Sequence, residues 1–553
     1  MNNKVTFKSG LSMAVLSFVF VALLGVQGFA QAGTSSVTGT IFNEQNEVVP
    51  GATVTLVSVA QNTRRTAVTN SQGNYSFSLV TPGPYRIEVE AQGFKRAVTS
   101  EFQAQVDRTA QLPITLEVGG VDVTVTVDTG GLETLSINTQ DASLGNNFVS
   151  EQIVQLPLEG RNVGNLLSLQ AAVTPDGSVS GGRSDQANIT LDGVDVNDQQ
   201  NGPAFTPVLR VTPDSIEEFR VTTSNPDASR GRSSGAQIAL VTKSGSNKFS
   251  GNLFEYHRNT VTTANSYFNN LAGVERPKLI RNLFGGSLGG PIVKDRLFFF
   301  YNYEGMREAK GVSVLRLVPL ASMGQGQLRY RNTNGQVVTL SLAQLNGLVV
   351  PGGSAPGPVV DMNPAAIAVF QAAASRYPSN DTGLGDGFNT GGYRFNAPLP
   401  VELNTHTAKI DWKITRDDKH TVSVRGNYQQ DIFTNASAFP DTPSPDTWSH
   451  PLGVAASYTW LIKSNIVNRF TYGLTRNAFS NQGDSNENTI TFRDVFTPAN
   501  FARSFNRVQP TQNFTNDVNW TIGDHSLQFG INFRIIRNKR TDFGLAFDNG
   551  VTN

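Results

Sequence analysis

The residues that could do covalent chemistry form a short list. Gly285-Gly286-Ser287-Leu288-Gly289 fits G-x-S-x-G, the elbow that presents a nucleophilic serine for acyl transfer. That elbow needs a strand–turn–helix context, whereas RNLF and GPIV on either side read as strand. Its glycines are expected to bend a strand or let it pack closely against another part of the chain. The five histidines, His257, His406, His420, His450 and His525, have no zinc-like spacing. Cysteine is absent, which removes disulfides, thiolate metal sites and cysteine nucleophiles. No phosphate-binding loop or dinucleotide fingerprint occurs. No catalytic residue, metal ligand or cofactor site is assigned, and an enzyme is not expected.

The elements around these residues point elsewhere. The chain has 553 residues, long enough for several domains on a prior of about 100–200 residues each. Lys+Arg and Asp+Glu are both 44, and no basic run appears, so nucleic acid is not an expected partner. Charged residues make up 16%, below the roughly 25% of soluble domains. Lys4 and Lys8, the apolar stretch Leu11–Val26 and Ala30-Gln31-Ala32 spell a signal peptide over 1–32, with Gly33 as the expected mature start. An uncleaved anchor is the other reading, but the stretch falls short of the ~20 apolar residues a spanning helix needs. With no comparable apolar run later, any membrane role falls to strands.

From 34 to 117, short strands (VTGTIF, ATVTLVSV, RRTAVT, YSFSLV, YRIEVEA, ITLEV) alternate with Pro50-Gly51, Ser71–Asn74 and Thr81–Pro84 turns, which predicts a sandwich. Gly39, Pro50-Gly51-Ala52, Thr69, Gly73, Tyr75, Phe77, Pro82-Gly83, Tyr85 and Gly93-Phe94 match, and the segment resembles the carboxypeptidase regulatory-like domain. Asn43 and Asn70 stand where that family often has Asp. The resemblance implies carbohydrate or partner binding; a plain spacer, with Tyr75, Phe77 and Tyr85 in its core, is the alternative.

A linker over 118–131 contains Val121-Asp122-Val123-Thr124-Val125-Thr126-Val127. Such an extended β-branched segment suits strand addition to a partner, or it is the last strand of the sandwich. Beyond it stand Leu156–Asn162 with an amphipathic Val163–Leu169 helix, Gly181–Ser184, Ile189–Asp195, Ile216–Val221, Arg230-Gly231-Arg232 and Gly235–Ile238 running to Gly245. In that order they resemble the plug of TonB-dependent receptors, of the Oar-like group in which a carboxypeptidase regulatory-like sandwich precedes plug and barrel. The resemblance places the plug over 132–247 and the box that engages a TonB-type periplasmic energy-coupling protein over 121–127. It marks Asp192, Gly193, Glu217, Glu218, Arg230, Arg232 and Lys243 as plug-motif residues, with Glu217, Glu218, Arg230 and Arg232 expected against the barrel wall. A solvated charged turn is the alternative for each.

Over 248–553, nine segments alternate apolar and polar residues: 248–258, 280–292, 296–304, 404–414, 420–428, 453–462, 465–475, 512–521 and 525–536. Most are near the ~9–11 residues a tilted membrane strand needs. Tyr458, Trp460, Tyr472 and Trp520 lie near their ends, as in aromatic girdles. Short turns alternate with long loops at 259–279, 305–403, 429–452 and 476–511. The expected class is mainly β: a small sandwich, an α+β plug and an outer-membrane barrel of which nine strands are present. Nine is odd, no aromatic-ended final strand closes the set, and a truncated product or fragment is expected. The function implied is uptake of a scarce solute (oligosaccharide, siderophore or peptide) across the outer membrane. The competing expectations are a structural or adhesive surface protein and sugar binding by the sandwich.

Overall fold

The computed structural model describes residues 33–120, 124–127, 142–200, 206–226, 229–346, 348–349, 359–360, 363–483, 488–498, 504–543 and 549–552, apart from single positions 157, 162, 176, 232 and 524. The signal segment with Ala30 and Ala32, the box residues Val121–Val123 and Arg232 lie outside the described residues. The described chain is built mostly from strands.

Two sheets face each other at the N-terminal end. Asn74–Val80, Ser35–Asn43, Thr109–Gln111 and Ile114–Leu116 form one; Thr53–Ser58, Arg64–Val68, Gly83–Glu90, Arg96–Thr99 and Phe102–Ala104 form the body of the other. Alternate residues turn inward to a core of Val37, Ile41, Val54, Leu56, Phe77, Ile87 and Val89. Tyr75 and Phe77 are buried in it, and the Tyr75 hydroxyl donates to Leu112 O at 2.7 Å. Asn43 and Asn70 fill the place of the expected aspartates through their amide oxygens. Asn43 Oδ1 accepts from the Gln45 and Glu47 N–H groups, and Asn70 Oδ1 from those of Gln72 and Asn74. A turn needs an acceptor there, and an amide supplies it as well as a carboxylate does.

A central module follows. Leu144–Val149, Ile216–Ser224, Gln237–Thr242, Asn188–Leu191 and Val194–Asp195 pair in that order into a five-stranded sheet. Its core contains Ile153, Leu166, Ile189, Leu191, Phe219 and Ile238. The segment Val163–Leu169, read from the sequence as an amphipathic helix, is a 3-10 helix.

The largest sheet has twelve segments and runs from Ser250–Arg258 at one edge to His525–Ile536 at the other. Each of the nine alternating segments matches one of its strands, overrunning a strand end by at most two residues. Its burial is the reverse of a soluble core. In Val401–Lys413, Thr407 and Lys409 are 1% and 5% exposed, while their neighbours Ile410 and Trp412 are 47% and 44% exposed. Apolar residues face outward and polar ones inward, the alternation of a barrel in lipid. Trp412, Trp460 and Trp520 all lie at the strand ends beside the short turns, and His420 stacks on Tyr458 and Trp460 there.

The long loop expected over 305–403 is corrected by the structure. Leu297–Pro319 is one strand of 23 residues, and Thr390–Pro398 pairs with its upper half. The chain that connects them carries the hairpin 328–340 and the helix Pro364–Arg376. Beyond Glu304 the run Gly305–Gly311 is poor in large apolar residues, and Val312, Val314, Leu315 and Leu317 straddle both faces, so no steady alternation marks this stretch as strand. Above the lipid a strand needs hydrogen-bond partners but no apolar face.

Candidate functional site

The charged inner face of the large sheet surrounds the central module, and their boundary is where chemistry concentrates. Asp192 (φ 50°) and Gly193 (φ 80°) form the tight hairpin between Asn188–Leu191 and Val194–Asp195. Two positive φ values in sequence are the signature of a type I′ turn. The turn carries the Asp192 carboxylate to the wall, where Arg425 Nε stands 2.8 Å and Lys409 Nζ 3.9 Å away. Thr242 donates from its N–H and hydroxyl to the same carboxylate at 3.0 and 2.8 Å. Burial alone would raise this acid. Lys409, Arg425 and the Thr242 bonds outweigh it and hold Asp192 below the usual aspartate range. Behind the turn, a Cβ on Gly473 of the wall would lie 2.3 Å from Val194 Cγ1, so only a bare backbone lets the hairpin come this close.

Four further ties circle the module. Arg161 pairs with Asp214 and, at 3.1 Å, with Glu304 of the wall, and its guanidinium lies 4.3 Å over the Phe254 ring. Arg210 pairs with Asp431 and donates to Thr405 Oγ1 at 3.1 Å. Asp195 pairs with Arg534, while the Thr475 hydroxyl donates to Asp195 O at 2.8 Å. Asp198 faces Arg507 at 3.5 Å. Buried ions are tolerated only when paired, so each tie fixes the module's register against the wall.

The residues marked from the sequence divide between two surfaces. Asp192 and Gly193 meet the wall. Glu218 and Arg230, expected at the wall, turn toward the sandwich. The Glu218 carboxylate accepts from Val106 N–H at 2.9 Å and from Asn147 Nδ2 at 2.6 Å, and Arg230 pairs with Asp107. The alternation of Ile216–Ser224 explains this: Glu218 and Arg220 share the face opposite Phe219 and Val221. Burial, aided by Asp107 and Glu217, pushes the Glu218 carboxyl up to about 7 against the pull of its two hydrogen bonds. Glu217 is half-buried, and Lys243 donates its backbone N–H to Ser215 O at 3.0 Å.

The wall partners Glu304, Lys409, Arg425, Asp431, Arg507 and Arg534 were not singled out from the sequence. For Glu304, Lys409, Arg425 and Arg534 the one signal is position on the polar face of an alternating segment, whereas Asp431 and Arg507 lie in the stretches 429–452 and 476–511 that read as loops. Among the described residues no group of three or more His, Asp or Glu is placed to hold a metal ion. Ser287, at the centre of the G-x-S-x-G match, lies mid-strand and donates to Asn252 Oδ1 at 2.6 Å.

The sandwich packs against the rim that carries the short turns. Arg64 N–H donates to Asp418 Oδ2 at 2.9 Å, Lys413 Nζ to Gln61 O at 2.9 Å and Asn247 N–H to Ala60 O at 2.9 Å. Within the candidate box, Thr124–Val127 lies parallel to Arg96–Thr99 as the outermost strand of the sandwich.

Comparison with known proteins agrees with this architecture. An outer membrane beta barrel domain model matches residues 241–553, and a carboxypeptidase regulatory-like domain model matches 36–117. The TonB-dependent transporter Oar of Myxococcus xanthus is 27% identical over 318 residues, which is 51% of this chain and 27% of that protein. Among solved structures, the outer membrane transporter YddB from Escherichia coli is similar at 14% identity and a TM-score of 0.46, over 72% of this chain and 48% of that one. The ferric enterobactin receptor PfeA from Pseudomonas aeruginosa is similar at 11% identity and a TM-score of 0.40, over 72% and 50%. The chain thus spans about a quarter of the curated relative and about half of these structures. The barrel match covers more than half of this sequence, and a carboxypeptidase regulatory-like domain precedes it: the chain belongs to the outer membrane beta barrel domain family, in an Oar-like arrangement, and its place is the outer membrane of a Gram-negative-type bacterium.

Proposed function

We propose that this chain is the receptor and plug part of a TonB-dependent transporter. In this reading the central module is the plug, the surrounding sheet is the wall, and the linker at 121–127 recruits a TonB-type protein from the periplasm. The observation that supports it most is the ring of buried ion pairs, Asp192–Arg425, Arg161–Glu304, Arg210–Asp431 and Asp195–Arg534, between module and wall. A separately folded module fixed by polar ties inside a barrel obstructs its lumen. Polar ties also exchange with water at modest net cost, so such an obstruction is movable in a way an apolar core is not. The outer membrane has no nucleotide supply, so the work of moving it must arrive mechanically from a periplasmic partner. The solute is an extracellular molecule of polar character, such as an oligosaccharide, siderophore or peptide.

A pull-down from the full-length protein with the periplasmic domain of TonB tests the partner. Retention is expected, and its survival after deletion of 121–127 would remove the box assignment. A second reading, a structural or adhesive surface protein, draws on the folded lobe above the barrel. Phe370, Tyr377, Phe439 and Phe496 give that lobe its own core. Solute uptake unchanged by deletion of the full-length gene would favour it.

A further inference from the structure

Two features at the periplasmic rim go unused by a simple plug. The first is a cavity of about 220 Å³ where sandwich, central module and wall meet. Its wall side carries hydroxyls from Thr421, Ser423, Ser457 and Thr459, and its floor is the sandwich turn Pro82–Tyr85. Asp411 also lines it, with Oδ2 buried and accepting no hydrogen bond. The hydroxyls and the Asp411 oxygen give one side of the cavity acceptors for a polar, donor-bearing occupant, while Arg469 and the apolar Val241, Leu461 and Val467 complete the lining.

The second feature is the fastening of that floor. Among the described residues the sandwich buries one loop against the central module, and Gln61 Nε2 adds a bond to Gly245 O at 3.0 Å. Val106 is fully buried against Ala239 and Val241 of the module, outside the sandwich's own core. Its N–H donates to Glu218, its carbonyl accepts from Asn147 Nδ2 at 3.1 Å, and Asp107 pairs with Arg230. Elsewhere the sandwich meets the rim through separate hydrogen bonds, the exposed Arg64 to Asp418 and the part-buried Lys413 to Gln61 among them.

We infer that the sandwich is a periplasmic gate: it closes the lower end of a polar passage between central module and wall, and the Val106–Asp107 loop holds it shut. The inference rests on the transport reading for its purpose, since a gate needs something to pass. The passage would take a polar, donor-bearing solute. The linker strand Thr124–Val127 pairs with Arg96–Thr99 of the sandwich. A pull on the linker therefore loads the sandwich before it loads the module.

The chain contains no cysteine, so single cysteines report without background. In the full-length protein, Ser457→Cys is exposed to a membrane-impermeant maleimide from the periplasmic side, in the parent and in Val106→Asp or Asp107→Lys backgrounds. Both changes set like charges against Glu218 or Arg230 and spare the sandwich core. Separately, Arg64→Cys with Asp418→Cys, bridged by a short bis-maleimide, reports whether the sandwich is docked. Labelling of Cys at 457 at least tenfold faster in either background, with loss of the 64–418 bridge, is the expected result. Equal labelling rates despite loss of the bridge would overturn the gate, and an undiminished bridge in both backgrounds would overturn the fastening. No solute or energy-coupling protein enters this assay. Its failure would leave the transport reading standing, and failure of the TonB pull-down would leave the gate standing.

Discussion

Arg425 and Asp192 meet across the boundary between wall and central module, with Nε 2.8 Å from the carboxylate and the guanidinium almost wholly buried. Neither charge has bulk water to fall back on, so each depends on the other.

Asp192→Asn is accordingly expected to destabilise the full-length protein by about 3–5 kcal/mol, the cost of orphaning a buried charge. Denaturant midpoints followed by near-UV circular dichroism measure it. Equal midpoints for the variant and parent would show that Arg425 is satisfied without this partner. The acid side gives a second sign. Because the folded carboxyl lies below its ordinary range, its contribution is present above about pH 3.9 and is lost as pH falls through the depressed value. The Asn variant should lack that loss.

Glu218 carries the opposite sign. Its carboxyl is raised to about 7 in the folded protein, so its contribution is fully present below about pH 4.3 and is lost as pH rises through 7. The apparent melting temperature should therefore fall between pH 5 and pH 8 in the parent, with a shallower fall in Glu218→Gln. Identical slopes would place the pH dependence elsewhere.

Gly473→Ala puts a methyl 2.3 Å from Val194 Cγ1, on a strand that cannot retreat. A cost of about 1–3 kcal/mol is expected from overpacking, with partial recovery when Val194→Ala is added. The double variant decides it: no recovery would mean that the hairpin and wall are not in direct contact.

Ile410→Arg tests which face meets lipid. A cationic residue on the outer face costs about 2–4 kcal/mol near the bilayer midplane and less toward the interfaces. The heat-modifiable folded band on unboiled gels should weaken. A like change at the inward-facing Thr407 is not subject to the lipid penalty, and equal loss at both positions would contradict the assignment of faces.

Much of this was legible because alternation in a strand declares its two faces. His406–Ile414 shows its polar and apolar sides without any structure, and the Asp192-Gly193 turn announces its own geometry. What alternation cannot declare is the partner. Arg161 meets Glu304 across 143 positions, and nothing local in either segment names the other. Glu218 and Arg230 were expected at the wall because buried charges in a plug suggest one. Glu218 lies on the face of its sheet that turns to the sandwich, and Arg230 sits in the connection between two of its strands and pairs with Asp107 there, a surface invisible until the modules are assembled. The segment after Glu304 reads as loop for a related reason: its apolar residues Val312, Val314, Leu315 and Leu317 straddle both faces, and only the pairing with Thr390–Pro398 shows it to be strand.

That long strand sets a distance. Twenty-three residues at roughly 3.3 Å each, tilted by about 40°, climb some 55–60 Å, against an apolar band of about 25 Å. This strand and its partner Thr390–Pro398 therefore rise about 30 Å clear of the apolar band, beside the lobe around Phe370 and Phe439. On the transport reading, capture at that lobe and closure at the Asp192 contacts would occupy different storeys of one building, so mutations would retune what is caught while the seal below stays unaltered.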